Sequence, residues 1–171
     1  MRAQGVHLQN ISVTVSGDRV GSVCVHSGSA TLHQCELMRG QLYVEEEASC
    51  VVTACTISES SQYGVSIQGR VSMEACVVSC PALEGIHVYE RGELDIANCT
   101  IFESGEDGIA AEGTVNVNGQ LRVANCQGYG LAAVGELGRV HVRHPAVVEL
   151  EDNADGGWDA FDGGEIIFEE T

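Results

Sequence analysis

The sequence predicts an all-β fold, a single-stranded right-handed parallel β-helix of about seven to eight coils. Three observations lead there. A phrase of 19 to 27 residues, mostly 20 to 23, recurs along the chain. Inside each phrase apolar and polar residues alternate with the period of two that marks a half-buried strand. A glycine stands before a pair of apolar positions in most copies, and no copy carries the 3.6-residue period of a helix.

The copies can be set out in order. Val6, Leu8, Asn10, Ile11 and Val13 match the second half of a row. Complete rows then align on Cys35, Cys55, Cys76, Cys99 and Cys126. Leu32, Val52, Met73, Ile96 and Val123 stand three residues before these cysteines, and Ala30, Cys50, Val71, Leu94 and Leu121 five before. Leu37, Ile57, Val78 and Ile101 stand two after, with Gly128 a poorer member. A second strand per row shows as Val23/Val25, Leu42/Val44, Val65/Ile67, Ile86/Val88, Ile109/Ala111 and Leu131/Ala133, introduced at four rows by Gly64, Gly85, Gly108 and Gly130. Near the C-terminus Gly157, Trp158 and Ala160 repeat that phrase and Ile166 and Phe168 follow, while the fit around Val140, Val142 and Pro145 is looser. One row cannot bury its own apolar face. Stacking rows at about 4.8 Å per coil does so, giving a rod of roughly 35 Å. A right-handed coil follows from the preference of parallel strand crossovers.

Residues 1–171 are therefore expected to form one β-helix domain, as a segment of a larger protein or as an uncapped unit that stacks end to end, since an open end presents strand edges. The formal charge of −17, from 25 acidic and eight basic residues, opposes nucleic acid and anionic membrane, which need positive charge. No apolar run approaches the roughly 20 residues of a membrane span. MRAQGVHLQN lacks a signal-peptide core, so the eight cysteines read as reduced thiols of a cytoplasmic protein.

The phrases ANCTIFESGEDGIAAEG and EACVVSCPALEGIHVYERG resemble the parallel β-helix repeats of the pectate-lyase-like superfamily. That superfamily carries lyases, epimerases, hydrolases, tailspikes and binding modules, so the resemblance speaks to fold and not to activity. The cysteine-rich rows of roughly 22 residues with an initial glycine are closest in texture to the non-catalytic β-helix modules of intracellular adaptor and F-box-type proteins, whose members bind proteins.

Each candidate site has a structural alternative. Cys35, Cys55, Cys76, Cys99 and Cys126 share an inward column, where a small soft side chain packs well; zinc would need four converging ligands. Asn10, Asn98 and Asn125 precede that column, and two of them open glycosylation sequons; a bend amide bonded to the next coil's backbone explains them as well. The outward positions of the glycine-led strand give Cys24, Tyr43, Ser66, His87, Ala110 and Ala132, then His26, Glu45, Gln68, Tyr89, Glu112 and Val134. For an enzyme, His87, Tyr89, Arg91 and Asp95 would act as base, acid and carboxylate binders in β-elimination or epimerisation. The resemblance to polysaccharide lyases would also imply a calcium-binding acidic cluster with a basic side chain, which does not assemble on one face. Acidic turns at 45–47, 103–107 and 151–165 lack the EF-hand pattern, so no metal is assigned and calcium is the one cofactor they would suit.

The leading expectation is thus a non-catalytic interaction module. Its binding face would comprise Tyr43, Glu45, Gln68, His87, Tyr89 and Glu112, facing a protein partner or, second, a carbohydrate. The alternative is a carbohydrate-active lyase or epimerase using the same face. Neither nucleic acid nor membrane is an expected partner.

Overall fold

The computed structural model describes residues 5–15 and 23–169; residues 1–4 of the N-terminal stretch considered above as a leader lie outside it. Among the described residues are 22 strands of three to six residues and no helix. Val is by far the commonest residue of these segments, with Ala, Ile and Leu next, and the β-branched Val and Ile suit a pleated, half-buried surface.

The strands form three parallel sheets in which every third strand of the chain is the hydrogen-bonded neighbour. The first sheet has eight strands, from Val6–Gln9 to Glu165–Phe168. The second has seven, from Ser12–Thr14 to Val147–Glu151, and the third has seven, from Val23–Val25 to Gly156–Phe161. Three strands make one turn of a solenoid of about seven turns, each stacked a strand spacing of about 4.8 Å below the last.

Like stacks on like inside. Leu32, Val52, Met73, Ile96, Val117 and Val142 form one inward column of the first sheet. Leu42, Val65, Ile86, Ile109 and Leu131 form one of the third, continued by Trp158. Leu32, Leu42, Ile86, Ile109 and Leu131 are wholly buried. Each such side chain contributes about 1.5–3 kcal/mol over its exposed state.

The corners have a backbone cause. Asn10, Gln34, Ala54, Ala75 and Asn98 turn the chain from the first sheet to the second at φ of 52 to 55°. Arg39, Glu59, Cys80, Glu103, Asn125 and Asp152 turn it from the second to the third at 52 to 61°. The left-handed conformation costs energy for these residues. Part of the cost is recovered because the corner N–H bonds the next coil, as Ala54 does to the Glu74 carbonyl at 2.9 Å.

The glycines before the third-sheet strands have a different cause. A Cβ on Gly64, Gly85, Gly108 or Gly130 would lie 2.5 to 2.7 Å from the carbonyl oxygen of the corresponding glycine one coil on. Backbone approaches backbone there too closely for any side chain.

One row differs from the sequence alignment. Val115 and Val117 pair with Leu94 and Ile96, and Leu121 and Val123 lie one sheet further on, paired with Cys99 and Ile101. Cys126 therefore does not continue the column of Cys35, Cys55, Cys76 and Cys99; Leu121 takes that place. The two Ala-Asn-Cys tripeptides sit at different corners, both with a left-handed asparagine (φ 55° and 57°) before an inward residue. The same shift places Val140 and Val142 on the first sheet, paired with Val115 and Val117, where the sequence fit was loose.

The four stacked cysteines are 1 to 4 % exposed. The Cys35 N–H donates to Cys55 Sγ at 3.3 Å and the Cys76 N–H to Cys99 Sγ at 3.4 Å. All eight cysteines are free thiols. Burial pushes the Cys50 thiol up to about 12, with Cys55 nearby adding to it, so this sulfur is an uncharged packing group at neutral pH.

Candidate binding face on the third sheet

The third sheet turns a second column of side chains away from the core. Cys24, Tyr43, Ser66, His87, Ala110 and Ala132 follow one another in register. The alternation of the sequence predicted this column, but predicted it open to water. Instead Ser66 is wholly buried and His87 is 8 % exposed. The reason lies at the corner before each strand, whose side chains fold back over the sheet. Gln41 Oε1 accepts the Ser66 hydroxyl at 3.4 Å, Glu84 reaches His87, and Tyr63 packs on it.

His87 is the centre of this cluster. Its Nδ1 lies 3.1 Å from Glu84 Oε1 and its Nε2 3.9 Å from Glu112 Oε1. Its ring packs between Tyr63 and Tyr89, at centroid separations of 4.9 and 4.4 Å. The Tyr63 and Tyr89 phenols stand close enough for each to shift the other's ionisation. Burial pushes Tyr89 up to about 12, with Tyr63, Glu112 and Glu84 adding to the effect. Burial first, and then carboxylates, also raise Tyr43 (Glu45) and Tyr63 (Glu84). Three neutral phenols thus stand among carboxylates. The second oxygen of Glu84, Oε2, is buried without a hydrogen-bond partner. With its nitrogens turned to carboxylates and tyrosines packed on it, His87 holds the aromatic cluster in place more than it presents a free base.

The remaining expected residues divide. Gln68, Tyr89 and Glu112 line a depression of about 460 Å³ together with Glu46, Glu90 and Arg91. Glu45 is not among the lining residues and stands 2.7 Å from His26 Nδ1. Arg91 is on an exposed turn and donates to Glu46. Asp95 is on the first sheet, exposed, and accepts the Asn118 amide at 3.4 Å. His87 and Tyr89 are therefore together and Arg91 shares the depression with Tyr89, while Asp95 lies on another sheet, so the four do not converge. Among the described residues no three His, Cys, Asp or Glu side chains gather as metal ligands.

Sequence reasoning missed Tyr63 and Glu84 because both lie in turns. The signal was there: each immediately precedes a glycine of the glycine column, as do Asp107 and Tyr129. That position is itself a column, stacked one coil apart through bonds such as Gly85 N–H to the Asp107 carbonyl at 3.0 Å.

The bends at the far edge of this sheet, leading back to the first, carry the acidic rim. Glu46, Glu90, Glu112 and Glu136 lie there, and a second depression of about 410 Å³ is lined by Glu90, Glu112, Val134, Gly135, Glu136 and Leu137.

Among curated proteins none matches the sequence. Two solved structures of the periplasmic alginate epimerase AlgG are similar in fold. A point mutant of it is 11 % identical, with 85 % of this chain and 50 % of that chain covered at a TM-score of 0.44. The other is 13 % identical, with 86 % and 47 % covered at 0.42. The chain thus spans about half the length of those proteins. The family model described as "Right handed beta helix region" matches residues 4–171, and the chain belongs to that family.

Proposed function

We propose that this β-helix is a non-catalytic interaction module whose third-sheet face, with Tyr43, Gln68, Tyr89 and Glu112, binds a protein partner. The observation that carries the reading is the tyrosine cluster around a buried His87. Tyrosines supply large, rigid contact area at low entropic cost, and here Tyr63 and Tyr89 are held by each other and by the imidazole between them. The neighbouring depression gives that area a concave margin. Cysteines that serve as buried packing groups suit a reducing compartment, which fits a cytoplasmic protein.

The test is comparative capture from extract of the source cells. Tyr43→Ala with Gln68→Arg should lose a protein that the wild type retains, while Thr56→Ala with Val77→Arg on the second sheet should keep it. Equal capture by both variants would refute the assignment.

A second reading, a carbohydrate-active lyase or epimerase, is favoured by one observation: a histidine 3.1 Å from a carboxylate and beside two tyrosines, the groups that proton abstraction and return require. Neutral and uronate polymers separate the readings. Formation of unsaturated product, or inversion at a ring carbon, that disappears in His87→Gln would establish the enzyme.

A further inference from the structure

The two depressions beside the tyrosine cluster share Glu90 and Glu112 and so form one groove along the solenoid axis. It runs over the bends from the third sheet to the first, from the coil of Glu46 to that of Glu136. That is four strand spacings, about 19 Å, the length of about six residues of extended chain. Its wall is not uniformly acidic. Tyr89 lies in one half, and Val134 with the 57 % exposed Leu137 in the other.

We infer that this groove takes an extended segment rich in lysine or arginine; the inference rests on the interaction-module reading and names the partner's chemistry. Three features of the groove agree. Glu90 and Glu136 make no ion pair among the described residues; the Glu90 charge acts on the neighbouring Arg91, and Glu136 is the carboxylate most open to a ligand cation. Tyr89 offers a neutral π-face, which attracts ammonium and guanidinium groups, and Leu137 with Val134 offers apolar surface for their methylene stems. The molecule also contains one instance of the contact: Arg91 extends over this surface and donates to Glu46, two coils up. A net charge of −17 speeds the approach of a cationic chain and opposes an anionic glycan or nucleic acid. Overall charge would attract a cation to any face, so the claim concerns the groove, and the test must hold net charge constant.

The experiment is fluorescence anisotropy with fluorescein-labelled octalysine at about 0.15 M salt, where exposed charges beyond about 8 Å are screened. Two variants remove three carboxylates each. Glu90→Gln, Glu112→Gln and Glu136→Gln strip the groove; Glu36→Gln, Glu74→Gln and Glu149→Gln strip exposed positions on the other two sheets. The groove variant should bind about tenfold more weakly than wild type and the control less than about twofold, the sum expected for three exposed pairs. Should the triple groove variant misfold, Glu136→Gln alone, on an exposed turn, should weaken binding about twofold. Equal weakening by both triple variants overturns the inference, as does tighter binding of uncharged maltoheptaose than of octalysine. If the capture experiment succeeds while this one fails, only the cationic partner falls; if capture is independent of the face, the module reading falls with it.

Discussion

The imidazole of His87 packs on the ring of Tyr89 at a centroid separation of 4.4 Å, on the side of the sheet turned away from the core. The outer surface of this solenoid therefore has a small core of its own, and stability and recognition share residues there. His87→Ala removes that ring contact, the one to Tyr63, and the partner of Glu84. Aromatic pairs contribute about 0.5–1.5 kcal/mol each, and a carboxylate left unsatisfied adds about 1–3. Urea unfolding should show a loss of about 2 kcal/mol or more; a loss within about 0.5, the usual range for surface changes, would mean the ring is not packed.

Tyr89 makes the same cluster visible to pH. Its phenol is raised from 10.0 to about 12, so the folded protein holds this proton where the unfolded chain releases it. The stabilisation is complete below pH 10.0 and is lost as pH rises through about 12. A spectrophotometric titration of the phenols should show the wild type ionising later than Tyr89→Phe accounts for with ordinary tyrosines. Ionisation of all four tyrosines near pH 10 in the folded protein would contradict the buried cluster.

Asp107 offers a test with opposite outcomes for two substitutions. Its Oδ1 accepts the Tyr129 N–H at 2.6 Å, while burial raises its carboxyl. A raised carboxyl means the charge opposes folding at neutral pH, with stability highest in acid and lost as pH rises through its folded value. Asp107→Asn keeps the acceptor and removes the charge, so it should be at least as stable as wild type at pH 7. Asp107→Ala leaves the amide unpaired and should cost about 1–3 kcal/mol by thermal unfolding. Similar losses in both would show that charge, not the acceptor, matters.

Gly85→Ala tests the close approach of coils. The new Cβ would lie 2.5 Å from the Gly108 carbonyl oxygen and 2.5 Å from Ile101 Cγ2. Neither backbone can retreat without opening the ladder on both sides, so a loss of about 2–3 kcal/mol or more is expected, well above the roughly 1 kcal/mol typical of point changes. A stable Gly85→Ala protein would place the coils further apart than described.

Thiol labelling tests the inward cysteines. Only Cys24 and Cys80 are exposed, and burial together with a hydrogen bond to Glu103 raises the Cys80 thiol, which slows it. Ellman's reagent at mild alkaline pH should label Cys24 and then Cys80 in the native protein and all eight after denaturation. Fast labelling of a third thiol would show that the stacked column is open.

The solenoid was legible because its signals are columns, and a column is overdetermined. Ile57, Val78 and Ile101 each confirm the other two. The error came where a signal was local. Ala97-Asn98-Cys99 and Ala124-Asn125-Cys126 look alike because both kinds of corner ask for the same physical pattern, a left-handed residue followed by an inward one. Only the length of chain between corners tells them apart, and loops absorb such differences. The face was legible as a list of positions, Tyr43 through Glu112. Its burial was not, because Tyr63 and Glu84 reach it from turns whose conformation no periodicity encodes.

The most direct test of the binding face is photocrosslinking at single positions. A benzoylphenylalanine in place of Tyr43 on the third sheet, compared with one in place of Thr56 on the second, is illuminated in cells and its adducts are identified by mass. Both sites are half-buried strand positions, so they differ in face and not in exposure. The expected result is a discrete protein adduct from position 43, abolished by Gln68→Arg, and none from position 56. The same adduct from both positions, or an adduct from 56 alone, would contradict the assignment of function to this face.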